Sequence, residues 1–250
     1  MHRTPAPTLL VFTLGADRES AHRSLLPPRL RDLEIGVRQG CLEAALAAGR
    51  ACGCRLEVCS PSPVALSEDV GSFAQAGPDF GSRLERAMLD AFARGAGPLI
   101  VVGTDVPGLA PRHVARALAL LADDPDAVVI GPSPDGGLYL LAARRPIAEL
   151  GAATRWCRRD TLRGLLRALR AAGRDVLLLA PLADLDRRAD LESWLAVKPG
   201  REERWRRLAT LLLRLLAESC RPSMPLAMGR PRPALAAAVP GRSPPVLFSR

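Results

Sequence analysis

The sequence is poor in aromatic residues and in lysine. Phe, Trp and Tyr make up 4% of its 250 residues and Lys198 is the only lysine, although hydrophobic residues reach 48%. Aliphatic side chains must therefore fill the core, and the length suits one large domain or a domain with an appendage. No apolar run approaches the roughly 20 residues of a membrane span, and "TLLVFTLGA" lacks the flanks of a signal peptide. We expect a cytoplasmic protein.

Signatures of nucleic-acid-binding domains are also missing. The net charge of +9 would suit such a partner, but 11 of the 35 basic residues lie in 198–250 with only 3 of the 26 acidic ones. Residues 1–197 are therefore nearly neutral, and they contain no zinc-finger, RNA-binding or helix-turn-helix signature. We predict no specific nucleic-acid partner.

The cysteines lack the spacing of a zinc site. Cys52, Cys54 and Cys59 form a C-x-C-x4-C cluster that no histidine pair follows. The pattern favours reduced thiols packed around the end of a helix and a neighbouring strand.

Apolar runs alternate with amphipathic segments along residues 1–197. Strands are predicted in "PTLLVFTLG", "CRLEVCSP", "PLIVVG", "DAVVIGPS" and "GLYLLAA", and "VLLLAPLADLD" is predicted to be the last strand with its exit loop. Helices are predicted in "LRDLEIGVRQGCLEAALAAGRACG", "FGSRLERAMLDAFARGAG", "APRHVARALALLADDP", "RDTLRGLLRALRAAGRD" and "RADLESWLAV". Unbroken apolar runs are typical of strands covered on both faces. The alternation predicts an α/β fold of three layers, with helices on both sides of a mostly parallel sheet.

Two further segments follow this domain. Residues 198–220 form a predicted basic amphipathic helix, which could pack on the domain, lie on anionic lipid or bind a partner protein. We favour packing, whereas weak membrane or partner contact predicts binding that salt reduces. Residues 221–250 are rich in Pro, Arg and Ala, and we expect them to be disordered.

Acidic residues follow three of the predicted strands. Asp105 lies two residues after "PLIVVG", Asp135-Gly136-Gly137 separates the next two strands, and Asp184 and Asp186 lie in the exit loop of the last one. Ligands of such sheets bind at the carboxyl ends of the strands, and Mg²⁺ prefers a few carboxylates with phosphate oxygens and water. The alternatives are a capping role for Asp105, a solvated loop for Asp184 and Asp186, and a simple turn at Asp135 whose glycines allow a ligand to approach.

Four motifs occur in an order that resembles a known family. They are Gln75–Leu84, similar to Q-x-x-G-x-L-G-x-R-L with Phe80 for leucine; Gly103–Pro107, similar to G-[ST]-D-x-P; Gly131–Leu140, similar to G-P-x-x-D-G-G-Y-Y-L with Leu138 for tyrosine; and the closing "PLADLDRRADLESWL". Over roughly residues 8–196 the chain resembles the glycosyltransferase-A-like (GT-A-like) radical-SAM/selenodomain-associated transferases, a domain of unknown function similar to nucleotidyltransferases.

The resemblance implies a nucleotide-diphospho-sugar transferase-like fold and a metal-dependent transferase. The donor would be a nucleotide or a nucleotide sugar, the acceptor a small molecule, and the metal Mg²⁺ or Mn²⁺. Carried over residue by residue, it implies catalytic roles for Asp105 and Asp135, metal ligation by Asp105, Asp184 and Asp186, nucleotide contacts from Arg23, Gln75, Gly81, Arg83 and Thr104, and an acceptor side at Gly136 and Gly137.

The first loop departs from the family. The family has F-A-K-x-P-x-P-G-x-x-K-T-R-L there, whereas residues 12–28 read "FTLGADRESAHRSLLPP", with Leu14 for the first lysine and Leu25 for the arginine. Loss of these cations weakens the stabilisation of phosphate, although Arg18, His22 and Arg23 are candidate substitutes. Two interpretations follow: a transferase, which the acidic residues favour and we expect, or a catalytically degenerate binding or regulatory module.

Overall fold

The computed structural model describes residues 5–196, apart from residues 63, 65, 152 and 153. The strands are β1 (Thr8–Phe12), β2 (Arg55–Ser60), β3 (Val70–Ala74), β4 (Leu99–Val102), β5 (Val128–Pro132), β6 (Leu138–Ala143) and β7 (Val176–Leu178). The α-helices are α1 (Ala16–His22), α2 (Arg31–Ala51), α3 (Phe80–Ala93), α4 (Pro111–Asp123), α5 (Thr161–Ala171) and α6 (Arg188–Ala196). The predicted segments 198–220 and 221–250 lie outside the described residues.

The seven described strands form one sheet in the order β3-β2-β1-β4-β6-β5-β7. Six strands run parallel, and β6 is antiparallel to both of its neighbours, β4 and β5. In the centre of the sheet, Thr8 of β1 lies opposite Arg55 of β2 and Leu99 of β4. The mostly parallel sheet predicted from the sequence is confirmed.

Helices cover the sheet on both faces. Leu9 and Val11 of β1 pack among apolar residues of α2 and α4, whereas Leu10 packs on the other face against residues of α3 and α5. A third cluster joins α6 to α2 through Leu191 and Val37. Alternate strand residues thus feed two cores, which explains why the central strands are apolar throughout. The three-layer α/β/α prediction is also confirmed.

Two elements, α1 and β3, were absent from the sequence prediction. Strand β3 lies at the edge of the sheet and exposes Gly71, Ser72 and Ala74, so it carries little apolar pattern. Helix α1 buries Ser20 alone and therefore has no apolar stripe. Among the described residues, no helix is both long and apolar enough to cross a membrane.

The predicted thiol cluster lies where helix α2 gives way to strand β2. Cys54 and Cys59 are buried and Cys52 is half-buried, and all three are free thiols. Burial raises the pKa of Cys54 to about 11 and that of Cys59 to about 12, so both remain protonated and unreactive at neutral pH.

The carboxyl ends of the parallel strands meet at one edge of the sheet, here called the carboxyl edge. The loop after β7 is fastened there by backbone hydrogen bonds: the Leu182 N–H donates to the Pro132 carbonyl at 3.2 Å, and the Leu185 N–H donates to the Asp105 carbonyl at 2.7 Å. These bonds bring the loops after β4, β5 and β7 together. The topology therefore gathers the acidic segments at one place.

Candidate active site

Three carboxylates converge at the carboxyl edge. One oxygen each from Asp135, Asp184 and Asp186 lies within 4.8 Å of the others, and these residues are called the carboxylate cluster below. Partial burial and the neighbouring charges of Asp135 and Asp186 raise the pKa of Asp184 to about 6. The raised pKa reflects first the removal of this carboxylate from water and second the like charges beside it.

Asp105 lies beside this cluster without belonging to it. Burial, followed by the charges of Glu19, Asp184 and Asp186, raises the pKa of Asp105 to about 7. Of the three predicted metal ligands, Asp184 and Asp186 are in the cluster. Asp105 lies outside it but near enough for their charges to raise its pKa. Asp135, which the resemblance gave a catalytic role, takes the third place in the cluster.

Hard oxygen donors that crowd and repel one another suit a divalent cation such as Mg²⁺ or Mn²⁺. The carboxylate cluster supplies three such donors on partly exposed side chains, which leaves positions for water or a phosphate. The raised pKa of Asp184 is what a site built for positive charge would show in the absence of that charge. The residues present therefore fit a metal ion.

Two adjoining cavities open beside these carboxylates. The first has a volume of about 270 Å³ and is lined by predicted nucleotide contacts, namely Arg23, Gln75, Arg83 and Thr104, and by Asp105. The second has a volume of about 440 Å³ and is lined by all four aspartates and by Gly137. Arg23, Asp105 and Asp186 line both, so these two carboxylates lie at the junction of the cavities, whereas Asp135 and Asp184 line the second cavity.

The first cavity offers polar groups without partners. Gln75 donates its amide N–H groups to the carbonyls of Thr13 at 2.9 Å and Cys59 at 3.1 Å, and its Oε1 is buried without a hydrogen-bond partner. The Nε of Arg83 is likewise buried and unpartnered. These two groups are available to a ligand in the cavity.

Gly81 shapes the wall of the same cavity. A Cβ at this position would lie 2.6 Å from Cδ1 of Trp156, so any larger residue would displace the indole. Trp156 is fixed by donating its Nε1–H to the Leu150 carbonyl at 2.6 Å. Its ring packs against that of Phe80, with centroids 5.2 Å apart and a tilt of 43° between the planes. Gly81 therefore allows an aromatic wall rather than contacting the cavity itself.

The departing first loop forms helix α1 and brings a carboxylate into the first cavity. Oε1 of Glu19 accepts hydrogen bonds from the hydroxyls of Thr13 at 2.6 Å and Thr104 at 2.8 Å and from the Leu14 N–H at 3.1 Å. Its Oε2 lies 3.5 Å from Arg38. The proton of the Thr104 hydroxyl is therefore donated to Glu19.

Sequence reasoning missed Glu19 and Arg38. Arg38 lines the first cavity, but its side chain is 5% exposed and also pairs with the fully buried Glu34 at 3.2 Å. Its charge is therefore shared between two carboxylates. The i,i+4 spacing of Glu34 and Arg38 in a helix is a signal that could have found this pair.

The other predicted cations contribute unequally. Arg23 forms an ion pair with Asp186 at the junction of the cavities, and His22 lines the first cavity. Arg18 is exposed on α1 and lines neither cavity. Arg83 forms no ion pair within the described residues and is the cation most available to an anionic ligand.

The glycine turn after β5 is engaged internally. The Gly136 N–H donates to the Ser133 carbonyl at 3.1 Å, and the Gly137 N–H donates to Oδ1 of Asp135 at 2.9 Å. Gly136 has φ +95°, and a Cβ there would overlap the Arg159 carbonyl oxygen. Gly137 therefore orients the Asp135 side chain, and Gly136 leaves room for the Arg159 backbone.

The chain is similar to proteins of known family or structure. The family described as "Uncharacterized protein conserved in bacteria (DUF2064)" matches residues 39–158. A proposed nucleotide-diphospho-sugar transferase from Desulfovibrio desulfuricans G20 is 23% identical with a TM-score of 0.69, covering 84% of this chain and 95% of that one. No curated protein matches.

Two further structures are more distant. CMP:2-keto-3-deoxy-manno-octonic acid synthetase complexed with CTP is 16% identical with a TM-score of 0.46, over 77% of this chain and 98% of that one. Rv0371c from Mycobacterium tuberculosis H37Rv, complexed with manganese, is 18% identical with a TM-score of 0.46, over 72% and 92%. The resemblance drawn from the motifs is confirmed: the chain has the fold of nucleotide-diphospho-sugar transferases, and its residues 39–158 carry the signature of the DUF2064 family.

Proposed function

We propose that this protein is a metal-dependent transferase that takes a nucleotide or nucleotide-sugar donor and passes a glycosyl or nucleotidyl group to a small acceptor. The observation that carries the proposal is the carboxylate cluster of Asp135, Asp184 and Asp186, which lines the second cavity and reaches the junction with the first through Asp186. One cavity suits the donor and the other the acceptor, and group transfer requires both to meet at one charged point.

The roles of the residues follow from their positions. Asp184 and Asp186, together with Asp135 or Asp105, would hold Mg²⁺ or Mn²⁺, which when bound neutralises charge on the leaving phosphate. The guanidinium of Arg83 faces the donor's phosphates across the first cavity, and Oε1 of Gln75 accepts a hydrogen bond from the donor. Trp156 and Phe80 provide an apolar wall that excludes water.

A second candidate is a degenerate member of the fold that binds a ligand without turnover. Glu19 favours it, because this carboxylate occupies part of the cavity where a nucleotide's phosphates would be repelled. Arg38, the nearest cation, is already shared between Glu19 and Glu34. In this case the domain would be a binding or regulatory module, with residues 198–250 as a further contact to a partner or membrane.

Calorimetric titration of the full chain separates the two candidates. The ligands are ATP, GTP, CTP, UTP and representative nucleotide sugars, each with MgCl₂, with MnCl₂ and with EDTA. The transferase predicts that one base is preferred and that EDTA abolishes its binding. Asp184→Asn should weaken that binding strongly, because it removes a ligand of the proposed metal.

Asp123→Asn is the matched control for this titration. Asp123 is exposed at the last residue of α4, at the edge of the sheet opposite the carboxylate cluster. The Asp123→Asn protein should therefore bind ligands like the unmodified protein. Metal-independent binding, or binding without turnover against any acceptor, would support the degenerate module. An equal loss in both variants would contradict the assignment of the metal site.

A further inference from the structure

The second cavity is lined by as many arginines as aspartates, four of each, but only one ion pair joins the two sets. Four arginines line it: Arg23, Arg158, Arg159 and Arg187. Arg23 is paired with Asp186. The other three are exposed and form no ion pair with any residue that the structure describes.

Hydrogen bonds hold the loop that carries two of these arginines, residues 155–159, in place. The buried hydroxyl of Thr161 accepts a hydrogen bond from the Arg158 N–H at 3.0 Å. Its single proton lies between the carbonyl oxygens of Arg158, at 2.7 Å, and Arg155, at 3.0 Å. One hydroxyl therefore ties the loop to the first turn of α5. We call residues 155–159 the arginine loop.

The arginine loop is also joined to the turn that carries Asp135. Gly136 packs against the Arg159 backbone, where any side chain would collide. On the other side, the Leu162 N–H donates to the Gly136 carbonyl at 2.9 Å. The backbone of the arginine loop is therefore fixed relative to the turn that carries Asp135.

Cys157, in the middle of the loop, has φ +57° and is the only described non-glycine residue with a positive φ. That conformation is strained for a non-glycine residue. It persists here because Thr161 and Gly136 hold the flanking backbone. Arg158 and Arg159 follow directly and both line the cavity.

We infer that the acceptor is a small acid, carrying a phosphate or carboxylate group that Arg158 and Arg159 bind with support from Arg187. This inference rests on the proposed function, because it names the class of acceptor for that reaction. Guanidinium groups bind such oxyanions through paired, charge-assisted hydrogen bonds. The positive end of the α5 dipole, at Thr161 on the cavity wall, adds to the attraction.

Charge and size exclude other occupants of this cavity. With Asp186 paired to Arg23, a divalent cation would offset two of the three remaining aspartate charges. The three unpaired arginines would then give the cavity a net positive charge, which disfavours neutral or cationic acceptors. A volume of about 440 Å³ suits a small molecule rather than a polymer. The donor's phosphates are served by Arg83 in the first cavity, so these arginines remain for a second anion.

Titration of the full chain with 2-phosphoglycolate in MgCl₂ tests the inference, with inorganic phosphate and glycolate as separate arms that distinguish phosphate from carboxylate recognition. We expect Arg158→Gln/Arg159→Gln to bind 2-phosphoglycolate about tenfold more weakly, through lost charge-assisted hydrogen bonds. The control is Arg167→Gln/Arg170→Gln, which removes equal charge from exposed positions further along α5. The control should bind like the unmodified protein.

The nucleotide titrations, repeated on both double variants, separate this inference from the proposed function. Nucleotide affinity should stay unchanged in Arg158→Gln/Arg159→Gln. Absence of 2-phosphoglycolate binding, equal loss in both double variants, or parallel loss of nucleotide binding would overturn the acceptor assignment. If no nucleotide binds but 2-phosphoglycolate still depends on Arg158 and Arg159, the oxyanion site stands and the transferase fails.

Discussion

The hydroxyl of Thr104 donates a 2.8 Å hydrogen bond to Oε1 of Glu19, a residue 85 positions earlier in the chain. Thr104 directly precedes Asp105, so this bond ties helix α1 to the residue at the end of β4. It also brings the Glu19 carboxylate close enough to raise the pKa of Asp105. The same contact therefore stabilises the fold and adds negative charge to the site.

Replacing Glu19 should separate these two effects. Glu19→Gln retains an acceptor for Thr13 and Thr104 but removes the charge that faces Asp105. We expect tighter nucleotide binding than in the unmodified protein, because phosphate no longer meets that carboxylate. Titration calorimetry measures this effect. Glu19→Ala should lower the melting temperature more than Glu19→Gln, since it also removes the acceptor for Thr13, Leu14 and Thr104. Unchanged nucleotide affinity in Glu19→Gln would contradict repulsion of phosphate by this carboxylate.

Asp105→Asn should stabilise the metal-free protein at alkaline pH. The pKa of Asp105 in the folded protein is about 7, above the ordinary 3.8, so the folded state holds the proton more tightly than the unfolded state. Stability is therefore lost as pH rises from about 4 to 7, the interval between these two pKa values. Calorimetric melting in EDTA should show Asp105→Asn above the unmodified protein at pH 8 and level with it at pH 4. A gap that is constant across pH would contradict this electrostatic origin.

Divalent metal should raise the melting temperature, and more so at higher pH. A ligand present at 100 times its dissociation constant stabilises the folded state by about 2.7 kcal/mol. Protons compete for the same oxygens, because the pKa of Asp184 is raised to about 6, so MnCl₂ should raise the melting temperature more at pH 7.5 than at pH 5. Asp184→Asn should remove the effect and Asp123→Asn should keep it; an equal rise in both would place the metal elsewhere.

Much of this fold follows from the sequence because the central strands carry apolar residues on both faces. Leu99, Ile100, Val101 and Val102 are all buried, and the glycine and aspartate that follow end the strand. The edge strand β3 had no such signal, since it pairs with a single neighbour and three of its five residues are exposed. Helix α1 was missed because tertiary hydrogen bonds to Glu19, rather than an apolar stripe, hold it in place.

The candidate site was predictable to the same extent. Parallel topology places Asp105, Asp135 and Asp184 at one edge, and the structure brings them together there. The spacing of Glu34 and Arg38 marks a pair within α2, but their link to Glu19 was not predictable, because the contacts of Glu19 with Arg38 and Thr104 join segments distant in sequence. The arginine loop was missed as well: "RWCRR" resembles a solvent-exposed charged run until the Thr161 hydroxyl and the Gly136 backbone fix its path.

Gly136→Ala should destabilise the protein more than a simple glycine substitution. The new methyl group would meet the Arg159 carbonyl oxygen and would adopt φ +95°. We expect a loss of about 2 kcal/mol or more in the free energy of unfolding. Gly173→Ala is the matched control, because Gly173 has φ +72° with open space around it, and it should lose only the backbone term of about 1 kcal/mol. Equal losses in urea unfolding would show that the contact with the arginine loop can relax.

Glu34→Ala should be among the most destabilising single changes in this domain. The fully buried Glu34 accepts hydrogen bonds from the Leu25 N–H at 2.9 Å and the Leu26 N–H at 3.1 Å and pairs with Arg38. Removing it leaves two backbone donors and much of a buried guanidinium unpaired, which costs about 3–5 kcal/mol by analogy with other buried pairs.

The exposed pair of Arg50 and Asp69 provides the comparison for Glu34. Their side chains are about half exposed, so Asp69→Ala should cost far less stability than Glu34→Ala. Urea unfolding of both variants measures the contrast. Because Arg38 also faces Glu19 in the first cavity, Glu34→Ala should shift Arg38 further towards Glu19. Glu34→Ala should therefore lower the free energy of unfolding strongly but reduce nucleotide affinity only slightly. If affinity falls as strongly as stability, Glu34 supports the cavity only through folding.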